Sequence, residues 1–155
     1  MRTEKMKEAK VKAGKYCAYQ ERTQQEVRDK LYSLGLHREE VEEVLTELIM
    51  ENFVNEERYA KAFASGKFRM NQWGKSKIIY ALKQKKISAY CIDQAMKEID
   101  EDEYLATLNK LIEKRKLQSK DDNAFNANRK IANYLVGKGY EQELIWSMLT
   151  DRFED

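Results

Sequence analysis

The chain has 155 residues, 42% hydrophobic and 36% charged, with 29 basic against 27 acidic side chains. That balance is globular and rather hydrophilic, which excludes a disordered chain. A formal charge of only +2 names no partner by itself. No apolar run approaches the ~20 residues of a membrane span, and the first residues, MRTEKMKEAKVKAGKY, lack the apolar centre of a signal peptide. Cys17 and Cys91 lie far apart and outside any metal-ligand spacing, as reduced thiols of a cytoplasmic protein would.

Proline is absent and no strand-like alternation is visible, so apolar residues at helical spacing carry the reading. Nine helices are expected, over 4–21, 23–34, 38–51, 55–70, 75–85, 88–99, 101–117, 127–137 and 141–153. The second opens with the capping box Thr23-Gln-Gln-Glu26 ahead of the stripe Val27, Leu31, Leu34. Gly35 followed by Leu36 suits a left-handed helix stop. The third helix buries Val41, Val44, Leu45 and Leu48, with His37 at its start. Asn55, Glu56 and Glu57 open the fourth, whose stripe reads Tyr59, Ala62, Phe63. If Gly74 caps the fifth helix, Trp73 and Ile78 form the two ends of a hydrophobic staple. That helix ends at Lys86-Ile87 without glycine, so its stop is expected to be weaker or different, and Ser88 caps the sixth. Phe63, Phe68, Tyr80 and Trp146 read as core or inter-helix contacts. Gly139-Tyr140 repeats the Gly35-Leu36 stop.

The helices repeat. Val27, Leu31, Leu36, Val41, Val44, Leu45 and Leu48 match Ile78, Leu82, Ile87, Ile92, Ala95, Met96 and Ile99, each pair 51 residues apart. A shift of 53 carries Ile78, Leu82, Ile87, Ile92 and Met96 onto Ile131, Leu135, Tyr140, Ile145 and Leu149. The fold class is therefore all-α, with three tandem three-helix repeats over 1–52, 53–99 and 100–155. Units this small are marginal alone, so they are expected to stack into an elongated, curved array.

Charge is segregated along this frame. Residues 38–57 hold eight Glu and one Arg, whereas residues 58–92 hold nine cations and no anion. The cations are Arg58, Lys61, Lys67, Arg69, Lys75, Lys77, Lys83, Lys85 and Lys86. Ordinary exposed helices mix signs, because opposite charges at i,i+4 stabilise and like charges do not. A one-sign block reads either as two solvated helix faces or as an anion-binding surface, for nucleic-acid phosphate or an acidic protein groove, and the missing acid favours the second. Trp73 within it is a candidate base-stacking residue or the staple described above. Catalysis finds no support: there is no GxxxxGK[ST], no GxGxxG and no HExxH, and His37 reads as a helix cap. No cofactor or metal is expected.

The stretch FVNEERYAKAFASGKFRMNQWGKSKIIYALKQKKIS, residues 53–88, resembles the signature of the RecX family, regulators of the bacterial recombinase RecA. The resemblance lies in Val54-Asn55-Glu56-Glu57-Arg58-Tyr59-Ala60 and then Gly74, Ile78, Leu82 and Ile87. ERTQQEVRDKLYSLGL at 21–36 and RKIANYLVGKGY at 129–140 look like the corresponding elements of the outer repeats. Asn55 and Glu56 depart from the Asp common in the family, and both still suit a helix start. The middle helix of the third repeat carries only Arg129 and Lys130 where the family is richer in cations. The resemblance implies a non-enzymatic protein that binds the groove of the RecA–DNA filament and limits RecA's ATP-dependent activities. The partners it implies are RecA and single- or double-stranded DNA without sequence preference; a monomer away from membranes is expected. Two other readings stay open from the residues alone. One is an independent helical DNA-binding protein, although helices 38–51 and 88–99 are poor in cations for groove insertion. The other is an adaptor whose cations meet an acidic protein.

Overall fold

The structure, a computed structural model, describes residues 3–151. Nine α-helices and no strand occur among the described residues: α1 (Glu4–Tyr19), α2 (Gln24–Ser33), α3 (Arg38–Met50), α4 (Glu56–Asn71), α5 (Lys75–Gln84), α6 (Ala89–Lys97), α7 (Glu101–Gln118), α8 (Ala124–Gly137) and α9 (Gln142–Asp151). The chain divides into two compact units, 1–62 and 63–155, with the boundary within α4.

Side-chain caps start the helices. Thr23 and Glu26 close a reciprocal capping box at α2, with bonds of 3.0 and 3.2 Å. Asn55, Ser88, Asp100 and Asn123 each accept a backbone N–H from the first turn of α4, α6, α7 and α8. The Asn123 cap starts α8 at Ala124, a turn before the expected 127. His37 occupies the cap of α3, where the Glu40 carboxylate accepts its backbone N–H at 3.1 Å. The expected end of α9, at 153, lies outside the described residues.

In the first unit Met6, Ala9, Ala13 and Cys17 of α1 pack with Val27, Leu31, Leu36, Val41, Val44, Leu45, Leu48 and Val54. Burial pushes the Cys17 thiol up, away from a reactive thiolate. Arg58, in the first turns of α4, donates to Glu21 at 2.6 Å and to the carbonyls of Asn52 and Phe53. It therefore ties the α3–α4 connection to the α1–α2 connection. In the second unit the buried residues include Phe68, Ile78, Leu82, Ile87, Ile92, Ala95, Tyr104, Leu108, Ile112, Ile131, Leu135, Tyr140, Ile145 and Leu149. Apart from Phe68 of α4 and Tyr104, Leu108 and Ile112 of α7, these are residues that the 51- and 53-residue shifts superpose.

Three expectations change. The buried stripe of α4 is Tyr59, Ala60, Ala64 and Phe68, while Ala62 is exposed and Phe63 half-buried, since that face carries the lysines. Tyr80 is 65% exposed, on the face of α5 opposite Ile78 and Leu82, and Trp146 is half-buried. The stop of α5 is not different in kind from its counterparts. Lys86 adopts φ 63°, in register with Gly35 at 93° and Gly139 at 102°. Ile87 donates back to Leu82 as Leu36 does to Leu31 and Tyr140 to Leu135. The apolar residue after each stop is buried, and that contact holds even a lysine in a conformation costing roughly 1–2 kcal/mol.

Candidate anion-binding surface

The start of α5 is built by residues from the end of the chain. Gly74 is its N-cap and has no side chain to satisfy the first N–H groups. The turn after α8 does so instead. Gly74 donates to the Lys138 carbonyl at 2.8 Å and Ser76 to the Gly139 carbonyl at 2.9 Å. The Lys75 N–H donates to the Tyr104 hydroxyl at 2.9 Å, and that hydroxyl donates to the Glu141 carboxylate. The Tyr140 hydroxyl and the Lys138 ammonium donate to the carbonyls of Gln72 and Asn71, each at 2.9 Å. Backbones approach so closely that a Cβ on Gly74 would lie 2.3 Å from the Gly139 carbonyl carbon. A Cβ on Gly139 would lie 2.4 Å from the Lys77 Cβ. Burial, and then the bond to Glu141, push the Tyr104 phenol far up. Burial does the same to Tyr140.

The nine cations of the basic stretch fall into two groups. Four are ion-paired. Arg58 holds Glu21, and Lys61 reaches Glu57 at 3.1 Å. Arg69 meets Glu103 at 3.6 Å and Lys75 meets Glu101 at 3.1 Å, both carboxylates from the first turn of α7. The other five, Lys67, Lys77, Lys83, Lys85 and Lys86, have no carboxylate within ion-pairing distance among the described residues.

Three of these five gather on two aromatic rings. The ammonium groups of Lys67 and Lys77 lie 4.9 and 4.6 Å from the centre of the Trp73 ring. Lys67 and Lys85 lie 5.6 and 5.7 Å from that of Phe63. The two rings meet edge to face at 6.4 Å. The Trp73 backbone N–H also donates to the Lys67 carbonyl at 3.1 Å, which ties the α4–α5 turn to the end of α4. Rings attract cations through their quadrupoles without neutralising them. The result is a cluster of positive charges with no carboxylate beside it among the described residues. The two lysines at Trp73 crowd the ring that base stacking would use, so the arrangement suits an anion better than a base. Sequence reasoning did not assign Phe63 to this cluster, nor Glu101 and Glu103 to the neutralisation of Lys75 and Arg69. The run of acids at 101–103 was the available signal, but only the fold says which cations it meets.

No group of three or more potential metal ligands is found among the described residues, and none of their helices is long and apolar enough to cross a membrane.

Three-helix modules in tandem, each stopping its second helix in the same left-handed turn, define an all-helical repeat protein. Models of the first, second and third three-helix domains of RecX match residues 9–48, 55–96 and 101–149. The chain belongs to the RecX family. It is 26% identical over 152 residues to the regulatory protein RecX of Bacillus cytotoxicus, covering 98% of this chain and 56% of that one. With the regulatory protein RecX of Clostridium tetani it shares 30% over 139 residues, 88% of this chain and 63% of the relative. The chain thus spans little more than half the length of these curated relatives. The crystal structure of RecX from Lactobacillus salivarius superposes with a TM-score of 0.86 at 25% identity, covering 95% of this chain and 96% of that one.

Proposed function

We propose that this protein is a non-enzymatic regulator that binds the filament RecA forms on DNA and restrains RecA's ATP hydrolysis, strand exchange and coprotease activity. Homologous recombination, DNA repair and the SOS response in the cytoplasm are its setting. The chain acts as a monomer whose modules divide near residues 52 and 99. Membership of the RecX family supports RecA as the partner. The observation that carries the reading is the cluster of Lys67, Lys77 and Lys85 on Phe63 and Trp73, with no carboxylate beside it. Like charges held together destabilise a helix surface, and an anionic partner relieves that repulsion. A filament offers DNA phosphate and acidic protein surface in regular repetition, so several weak contacts add up in avidity. Phosphate contacts carry no base sequence, so no sequence preference is expected.

The test is the single-strand-dependent ATP hydrolysis of the cognate RecA, titrated with this protein. Loss of hydrolysis well below equal stoichiometry supports action on the filament, by capping or by blocked extension. Loss only near equal stoichiometry supports groove binding or competition for DNA, which excess single strand separates. No effect at any ratio sinks the reading. The second reading, DNA binding independent of RecA, draws on the same lysines. Steep weakening with salt in the absence of RecA is its mark, through counterion release.

A further inference from the structure

The cluster at Trp73 has counterparts in the other two modules, at the same junction of first and second helix. Between α1 and α2 the Arg22 guanidinium lies 3.7 Å from the centre of the Tyr16 ring, and Lys30 lies 5.3 Å from the same ring. Between α7 and α8 the Arg115 guanidinium lies 3.3 Å from the centre of the Tyr134 ring. At the third junction an open cavity of about 460 Å³ lies between α7 and α8, beside the connection Ser119–Asn123. Arg115, Lys120, Lys130 and Tyr134 line it together with Asp121.

The charges in that cavity do not cancel. Lys130 is ion-paired with Asp121 at 2.7 Å. Arg115 and Lys120 have no carboxylate partner among the described residues. Arg115 is half-buried and stacked on Tyr134, which orients its fork, and no carboxylate pairs with it among the described residues. A stacked guanidinium in an open cavity is the arrangement that takes an oxyanion through two parallel hydrogen bonds.

We propose that the α7–α8 cavity is a second anion site, in which Arg115 and Lys120 hold a phosphodiester group of single-stranded nucleic acid. This rests on the reading above and extends it from the middle module to the third. Phosphate is favoured over carboxylate because cations held on aromatic rings occur in all three modules. A nucleic-acid strand repeats its charge at every residue, which a folded acidic surface does not. The sequence hid this site because the cations at 114–120 and at 129–130 are separated by Asp121, Asp122 and a linker. They look like ordinary solvated charge until α8 packs on α7.

The test measures binding of a fluorescein-labelled oligothymidylate to the full chain, without RecA, across a salt series. Arg115→Gln is expected to lower affinity five- to tenfold at low salt and to reduce the slope of log K against log salt by about one. Arg115→Lys keeps the charge and loses the fork, so the slope should persist while affinity falls. Lys120→Gln should weaken binding less than Arg115→Gln. Unchanged affinity and slope in both Gln variants overturn the proposal. So does equal competition by polyglutamate and polyphosphate of matched charge, because the site is then not selective for phosphate. Failure of the parent chain to bind the oligonucleotide also overturns it. Loss of this site leaves the RecA titration to decide the regulatory reading on its own.

Discussion

The two ends of α5 use the same residue type for opposite purposes. At its start, Lys75 is ion-paired to Glu101, its ammonium lies over the Tyr104 ring, and its N–H is bound by the Tyr104 hydroxyl. At its end, Lys83, Lys85 and Lys86 are exposed and meet no carboxylate among the described residues. Near the junction with α7 and the 138–141 turn, charge joins modules together. A helix length away Lys83, Lys85 and Lys86 meet no carboxylate among the described residues, and neither does Lys77 in the first turn. A count of cations along the sequence merges these two populations, and the fold separates them.

Breaking the start should have the largest effect. Gly74→Ala places a methyl 2.3 Å from the Gly139 backbone, where neither side is a flexible side chain. A loss of about 3 kcal/mol is expected in urea unfolding, at the upper range for overpacking, with faster amide exchange at Lys75 and Ser76. Alkaline pH attacks the same place by titration. The folded phenols of Tyr104 and Tyr140 lie well above 10, and burial pushes Tyr59 up to about 12. A raised folded pKa favours the protonated form in the native state. The stability it reflects is complete below pH 10 and declines from there as the unfolded tyrosines ionise first. The melting temperature should therefore fall between pH 10 and 12; a flat profile would mean that these phenols are not protected.

Removing one hydroxyl is milder. Tyr104→Phe leaves the ring packed but deprives the Lys75 N–H and the Glu141 carboxylate of a partner, at a cost of about 1–3 kcal/mol. The opposite end should respond differently. Lys86→Gly relieves the left-handed residue at φ 63° and should raise stability by about 1 kcal/mol, the lower part of the range for that conformation. Its binding to RecA filaments or DNA should weaken at the same time. Lys83→Ala should change stability by less than about 0.5 kcal/mol, as exposed substitutions do. If Lys83→Ala unfolds the protein, or Tyr104→Phe is neutral, the division between the two ends fails.

Much of the scaffold is local and was legible. Thr23 with Glu26, Asn55, Ser88 and the Gly35 and Gly139 stops each announce a helix end through their own side chain or the lack of one. The 51- and 53-residue shifts supplied the modules because the apolar residue after each stop recurs with them. What was hidden depends on partners far along the chain. Lys86 looks like a poor helix stop until Ile87 is seen to be buried. Tyr80 fits an apolar stripe but lands on the open face of α5. Arg69 and Lys75 sit in a run without acids, yet each meets a carboxylate of α7.

The dependence of α5 on the 138–141 turn also sets an order of events during synthesis. Gly74 and Gly139 are about 65 residues apart, so at roughly 5–20 residues per second the ribosome delivers the second some 3–13 s after the first. Until then the first turn of α5 has neither its glycine-turn acceptors nor the Tyr104–Glu141 pair. A nascent chain halted after the middle module would carry Trp73 and its lysines on an unfinished helix, open to proteases and to premature contact with nucleic acid.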